Sequence, residues 1–231
     1  FQFSFRAVRS CRMNVFCGGK GLNQSIALAK AGVEVYHAGL IGEEGEILLK
    51  TCQEGGVDSR YIRKTTEKSG HTIIQVDKDG QNCILLYGGA NQSITREYVD
   101  EVLSHFEKGD ILLLQNEINL LDYIINQAYE KGMMIILNPS PYNEKLDSCD
   151  FKKISMLLLN EVEGAQVTGE KDEKKILVRL RELYPDMQVV LTLGKDGSVY
   201  QYKDQVYRQG IFSVQAVDTT AAGDTFTGYF I

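Results

Sequence analysis

The chain has 231 residues, with 25 Lys and Arg against 31 Asp and Glu, a formal net charge of −6 and 43% hydrophobic residues. That balance suits a globular chain long enough to bury a sizeable core, and it excludes bulk attraction to nucleic acid or to an anionic membrane. No apolar run approaches the ~18 residues of a membrane-spanning helix.

The five cysteines (Cys11, Cys17, Cys52, Cys83 and Cys149) are scattered and never form a C-x-x-C pair. They predict reduced thiols in a cytoplasmic protein rather than a disulfide framework or a zinc site. Residues 1–16 carry Arg6, Arg9 and Arg12 without an apolar stretch, so they make a poor signal peptide, and they follow no clean helical or strand period.

Next comes Gly18-Gly19-Lys20-Gly21-Leu22-Asn23-Gln24-Ser25, a glycine-rich turn before an apolar helix at Ile26 to Lys30. Its three glycines let a backbone approach a ligand closely. Lys20 and Asn23 add donors suited to hydroxyl or phosphate oxygens. Lys20 is followed by Gly21 rather than Ser or Thr, so this is not a Walker A loop. Further on, 71–76 and 82–87 flank Asp77-Lys78-Asp79-Gly80 and predict a hairpin.

After residue 90 the pattern alternates. Ile94, Tyr98, Val102 and Phe106 have helical spacing behind a cap at Ser93. Ile111 to Leu114 is a buried-strand run, Leu120 to Tyr129 is helical, and Met133 to Leu137 and Ile154 to Leu159 are further strands. A polar helix near 172–184 precedes a strand at Gln188 to Leu193, and a second hairpin straddles Lys203 and Asp204. Alternation of this kind predicts an α/β fold with a mainly parallel sheet covered by helices.

Near the end stands Asp218-Thr219-Thr220-Ala221-Ala222-Gly223-Asp224-Thr225-Phe226-Thr227-Gly228. The small residues Ala221, Ala222 and Gly223 open a helix whose first amides and dipole suit an anion. Asp224 in its first turn reads either as a carboxylate that stabilises the helix start or as a general base beside an anion hole.

Taken together, the two segments resemble the signatures of the ribokinase-like (PfkB) family of carbohydrate kinases, and its ribokinase branch in particular. Asn138-Pro139-Ser140-Pro141, Asn160-Glu161-Val162-Glu163 and Thr192-Leu193-Gly194-Lys195-Asp196-Gly197 resemble family landmarks in the family's order, and the similarity runs from about residue 17 to the end. The resemblance implies a three-layer α/β/α sandwich as one kinase domain over 1–231, with small lid-like β segments around 1–17 and 81–92. It implies ATP-dependent phosphorylation of a sugar's primary hydroxyl, D-ribose first. Fructose, 2-keto-3-deoxygluconate or a nucleoside are the alternatives, as is an inactive fragment.

Residue by residue, Asp224 matches the catalytic base and Ala221, Ala222 and Gly223 the anion hole. Gly19, Lys20, Gly21, Asn23 and Glu117 match the sugar side. Asn160 and Glu163 match an element linked to the phosphates and Mg²⁺, and Thr192, Gly194 and Gly197 the nucleotide-side turn. Asp218 and Thr220 match ligands of a potassium ion. The expected partners are a small sugar and ATP, with no nucleic acid and no membrane, and pairing into a homodimer through the lids. The family's opening strand and closing helices have no counterpart here, so the resemblance also implies a chain truncated at both ends.

Overall fold

The computed structural model describes residues 14–76, 82–212, 214 and 220–231. The chain begins with α1 (Lys20–Lys30), β1 (Tyr36–Ile41), α2 (Glu46–Glu54) and β2 (Asp58–Lys64). β1 and β2 pair in parallel through the α2 crossover, a unit that the sequence pattern did not reveal. β3 (His71–Val76) and β4 (Asn82–Tyr87) form the predicted antiparallel hairpin, whose turn residues 77–81 lie outside the described residues. Of the two segments read as lid-like, residues 1–13 also lie outside them, residues 14–17 form no regular element, and β4 carries the second.

The remainder is a βα alternation: α3 (Arg96–Ser104), β5 (Ile111–Gln115), α4 (Leu121–Glu130), β6 (Met134–Asn138), β7 (Met156–Asn160), α5 (Glu161–Thr168), α6 (Glu173–Leu183) and β8 (Gln188–Thr192). The hairpin β9 (Ser198–Tyr202) and β10 (Gln205–Gln209) follows, and α7 (Ala222–Phe230) comes last. The sheet runs β10-β9-β8-β7-β6-β5, with β5 to β8 parallel and the hairpin antiparallel at one edge.

Strands sandwiched between helices must be apolar on both faces, and these are. Leu157, Leu159, Val189 and Leu191 belong to the core shared with Ile124, Ile125, Ile176 and Leu180 of α4 and α6. Ile136, Met156, Leu158 and Val190 face the other way, toward Phe226 of α7 and Ile231. The result is the expected three-layer α/β/α sandwich. No helix among the described residues is long and apolar enough to cross a membrane.

Two local expectations need correction. α3 is capped by Thr95, whose hydroxyl oxygen accepts from the Tyr98 amide, and not by Ser93. Helix α1 starts at Lys20 rather than at Ile26, so most of the glycine-rich segment is helix and only Gly18 and Gly19 precede it. Gly19 makes the turn into α1 at φ 104°, a conformation that favours glycine.

Candidate active site

Four parallel strands end on polar residues: Gln115, Asn138, Asn160 and Thr192. Register pairs Gln115 with Asn138 and Asn160 with Thr192, so these side chains gather along one end of the sheet. The carboxyl ends of parallel strands are where α/β sheets bind ligands.

Above that end, the first turn of α1 meets the residues that follow β5. The Lys20 amide donates to Glu117 Oε2 at 2.9 Å. Burial pushes the Glu117 carboxyl above its ordinary pKa, the Lys20 amide and ammonium pull it back, and the charge of Asp224 pushes it further up. Gly21 is the second residue of the helix, where a Cβ would stand 3.0 Å from Gln115 Oε1 and 3.4 Å from His37 Cε1. Its missing side chain makes room for the Gln115 amide.

Asp224 arrives from α7 as the third residue of the helix, and it is only 7% exposed. Its Oδ2 accepts from Asn23 Nδ2 at 3.0 Å and its Oδ1 from Gln24 Nε2 at 2.9 Å. Gln24 Oε1 in turn accepts from Gln115 Nε2 at 2.7 Å. Ala221 caps α7 in the left-handed region at φ 58°, with no side-chain cap. Ala222 and Gly223 begin the helix on an exposed surface, and a Cβ on Gly223 would meet nothing within 4 Å. The first amides of α7 have no partner within the helix, and they lie in the same turn as the Asp224 carboxylate.

A second group lies at the ends of β7 and β8. Asn160 and Glu163 form a capping box: Asn160 Oδ1 accepts from the Glu163 amide at 2.9 Å, and Glu163 Oε2 from the Asn160 amide at 3.1 Å. Thr192 Oγ1 donates to the Leu159 carbonyl at 3.4 Å. Gly194 (φ 53°) and Gly197 (φ 90°) shape the turn into β9, and a Cβ on Gly197 would run into the Gln209 carbonyl oxygen. No hydrogen bond joins this group to the Asp224 group among the described residues.

Of the two residues read as potassium ligands, Asp218 lies outside the described residues, and Thr220 stands exposed just before α7. No three Asp, Glu, His or Cys side chains converge as a metal cage among the described residues. Magnesium usually binds through one or two carboxylates plus the phosphates it accompanies. Glu163, with Oε1 outside the capping box, has the donor chemistry for that role.

Sequence reasoning passed over Gln24 and Gln115 as site residues. Gln24 stands in the glycine-rich motif beside Asn23, and Gln115 ends a strand at the sheet's ligand-binding end. Those placements were the available signals. The site can hold a carboxylate ready to take a proton, amides ready to face an anion, and short polar groups suited to hydroxyls.

The pfkB family carbohydrate kinase profile matches residues 6–231. The chain is 34% identical over 229 residues to a ribokinase of Staphylococcus aureus (strain COL), covering 94% of this chain and 74% of that one. It is 30% identical over 223 residues to a deoxyribokinase of Salmonella typhi, covering 93% and 73%. Among solved structures, the ribokinase of Arabidopsis thaliana complexed with ribose and ATP superposes with a TM-score of 0.83 at 28% identity, over 97% of this chain and 76% of that one.

Proposed function

This chain belongs to the pfkB family of carbohydrate kinases, and from that premise we propose that it transfers the γ-phosphoryl group of ATP to the primary hydroxyl of D-ribose, giving D-ribose 5-phosphate and ADP. The observation that carries the proposal is Asp224, buried at the start of α7 and held by Asn23 and Gln24 of the glycine-rich segment. ATP as donor is supported by the plant ribokinase solved with ribose and ATP.

The sugar lies against Gly19, Lys20, Gly21 and Asn23, with Glu117 beside it. Its primary hydroxyl oxygen attacks the γ-phosphorus and gives its proton to the Asp224 carboxylate. The bond from the γ-phosphorus to the β–γ bridging oxygen breaks, and ADP leaves. Charge on the transferring phosphoryl group is met by the amides of Ala222 and Gly223, which follow the Ala221 cap. The nucleotide lies along Asn160, Thr192, Gly194 and Gly197. Glu163 would hold magnesium, which would supply charge neutralisation on the phosphates, and Asp218 and Thr220 would be the positions for potassium.

The deoxyribokinase relative makes the sugar the point to test. The experiment is a comparison of kcat/KM for ribose, 2-deoxyribose and fructose. A site built to bond a hydroxyl rejects the analogue lacking it strongly, so ribose should lead 2-deoxyribose by well over tenfold. A lead for either other sugar would replace ribose and leave the kinase assignment in place.

A further inference from the structure

The mechanism uses Asp224 but leaves two side-chain amides behind it without a role, Gln24 fully buried and Gln115 partly so. We propose that Gln24 and Gln115 form a relay that anchors Asp224 Oδ1 and leaves Oδ2 as the oxygen that receives the proton. This rests on reading Asp224 as the general base.

Gln24 is fully buried, so it is not placed to touch a substrate. Its side chain is nonetheless used at both ends, by Asp224 Oδ1 at 2.9 Å and by Gln115 Nε2 at 2.7 Å. An ionised carboxylate only accepts, which forces the Gln24 NH₂ toward Asp224 and its oxygen toward Gln115. Gln115 must then present its own NH₂. The chain has one polarity, and each donor strengthens the next.

Three elements are tied by it: β5 through Gln115, α1 through Gln24 and α7 through Asp224. Gly21 is part of the device, because a Cβ there would press on Gln115 Oε1 at 3.0 Å. Oδ2 is held differently. Its partner is Asn23, which is only partly buried and lies among the sugar-side residues. An incoming hydroxyl exchanges with Asn23 at Oδ2, while Gln24 keeps its hold on Oδ1. Gln24 and Gln115 are therefore positioning residues.

The test uses Gln115→Met, Gln24→Glu and Asp224→Asn in the full chain, with carbon-detected titration of the Asp224 carboxyl beside steady-state kinetics. A donor to the ionised form lowers a carboxyl pKa, so loosening it raises the midpoint. Gln115→Met frees Gln24 to turn and should move the Asp224 midpoint up. Gln24→Glu keeps the shape but sets a second carboxylate against Oδ1, and should move it further up. Glu117, whose carboxyl feels the charge of Asp224, and Lys20 beside Glu117 are unchanged in both variants.

In turnover, Gln115→Met should lower kcat several-fold, leave the sugar KM within twofold, and shift the acid limb of kcat upward with the titration midpoint. A midpoint and acid limb identical to the parent in Gln115→Met would overturn the relay, and so would a raised KM with kcat unchanged. Should Gln24→Glu fail to fold, Gln115→Met decides, since Gln115 is only partly buried. Full turnover in Asp224→Asn would overturn the base reading and the relay's purpose together. Turnover lost in Asp224→Asn beside an unmoved Gln115→Met would overturn the relay alone.

Discussion

Gly228 of α7 lies so close to Ala27 of α1 that a side chain has no room between the helices: a Cβ on Gly228 would stand 2.9 Å from the Ala27 carbonyl carbon and 2.8 Å from the Leu28 amide nitrogen. Backbone atoms cannot swing aside as a flexible side chain can. This contact sets the distance between the helix that carries Asn23 and Gln24 and the helix that carries Asp224.

Gly228→Ala should therefore push α7 away from α1. The expected cost is about 1–3 kcal/mol of stability, the usual range for overpacking. Turnover should fall as well, because the Asp224 hydrogen bonds lengthen. Urea unfolding measures the first effect and kcat the second. An unchanged unfolding midpoint would show that the helices are not seated as described.

The capping box gives a prediction that separates stability from catalysis. Asn160→Ala removes the acceptor for the Glu163 amide and should cost about 1 kcal/mol. Glu163→Gln keeps an oxygen for the Asn160 amide, so its unfolding free energy should stay within about 0.5 kcal/mol of the parent. Its charge is gone, however, and the magnesium concentration needed for half-maximal turnover should rise. Parent-like magnesium dependence in Glu163→Gln would remove Glu163 from the metal's surroundings.

His37 predicts a pH effect on stability. Burial pushes its imidazole down from 6.5 to about 4, and its Nδ1 lies 2.8 Å from Ser25 Oγ. Between those values the unfolded chain binds a proton that the folded chain refuses, so stability rises with pH through that window and falls as pH drops from about 6.5 to about 4. Carboxylates add their own acid destabilisation to parent and variant alike. The reading is therefore the difference: urea midpoints of His37→Gln should fall less steeply over this range than those of the parent. Parallel slopes would mean that His37 protonates freely in the folded state.

Much of the sheet was legible in the sequence because β6, β7 and β8 are short apolar runs buried on both faces. β1 and β2 escaped notice because they are half-exposed and show no clean alternation, and their α2 crossover has few buried residues. The start of α1 was misplaced because Gly18 to Gly21 has the composition of a loop. In the fold Gly19 alone makes the turn, while Gly21 is a helical residue that clears space for Gln115.

Asp224 was found as a candidate through its neighbours in sequence and Asn23 through the glycine-rich motif, but their contact was not foreseen and Gln24 was passed over. Gln24 lies 200 residues away along the chain, and a contact at that separation leaves no local periodicity to read. Its role emerges only when α1 and α7 are packed. The Asn160–Glu163 pair is the opposite case, a local motif whose capping geometry follows from its three-residue spacing.

The most direct test of the central claim is sugar-dependent ADP formation from ATP with magnesium and potassium present, in the parent chain and in Asp224→Asn. The account predicts ribose-dependent turnover in the parent and a loss of about 10²–10⁴-fold in kcat in the variant, with ribose binding by calorimetry retained. Full kcat in Asp224→Asn, or no sugar-dependent turnover from the folded parent chain, would contradict it.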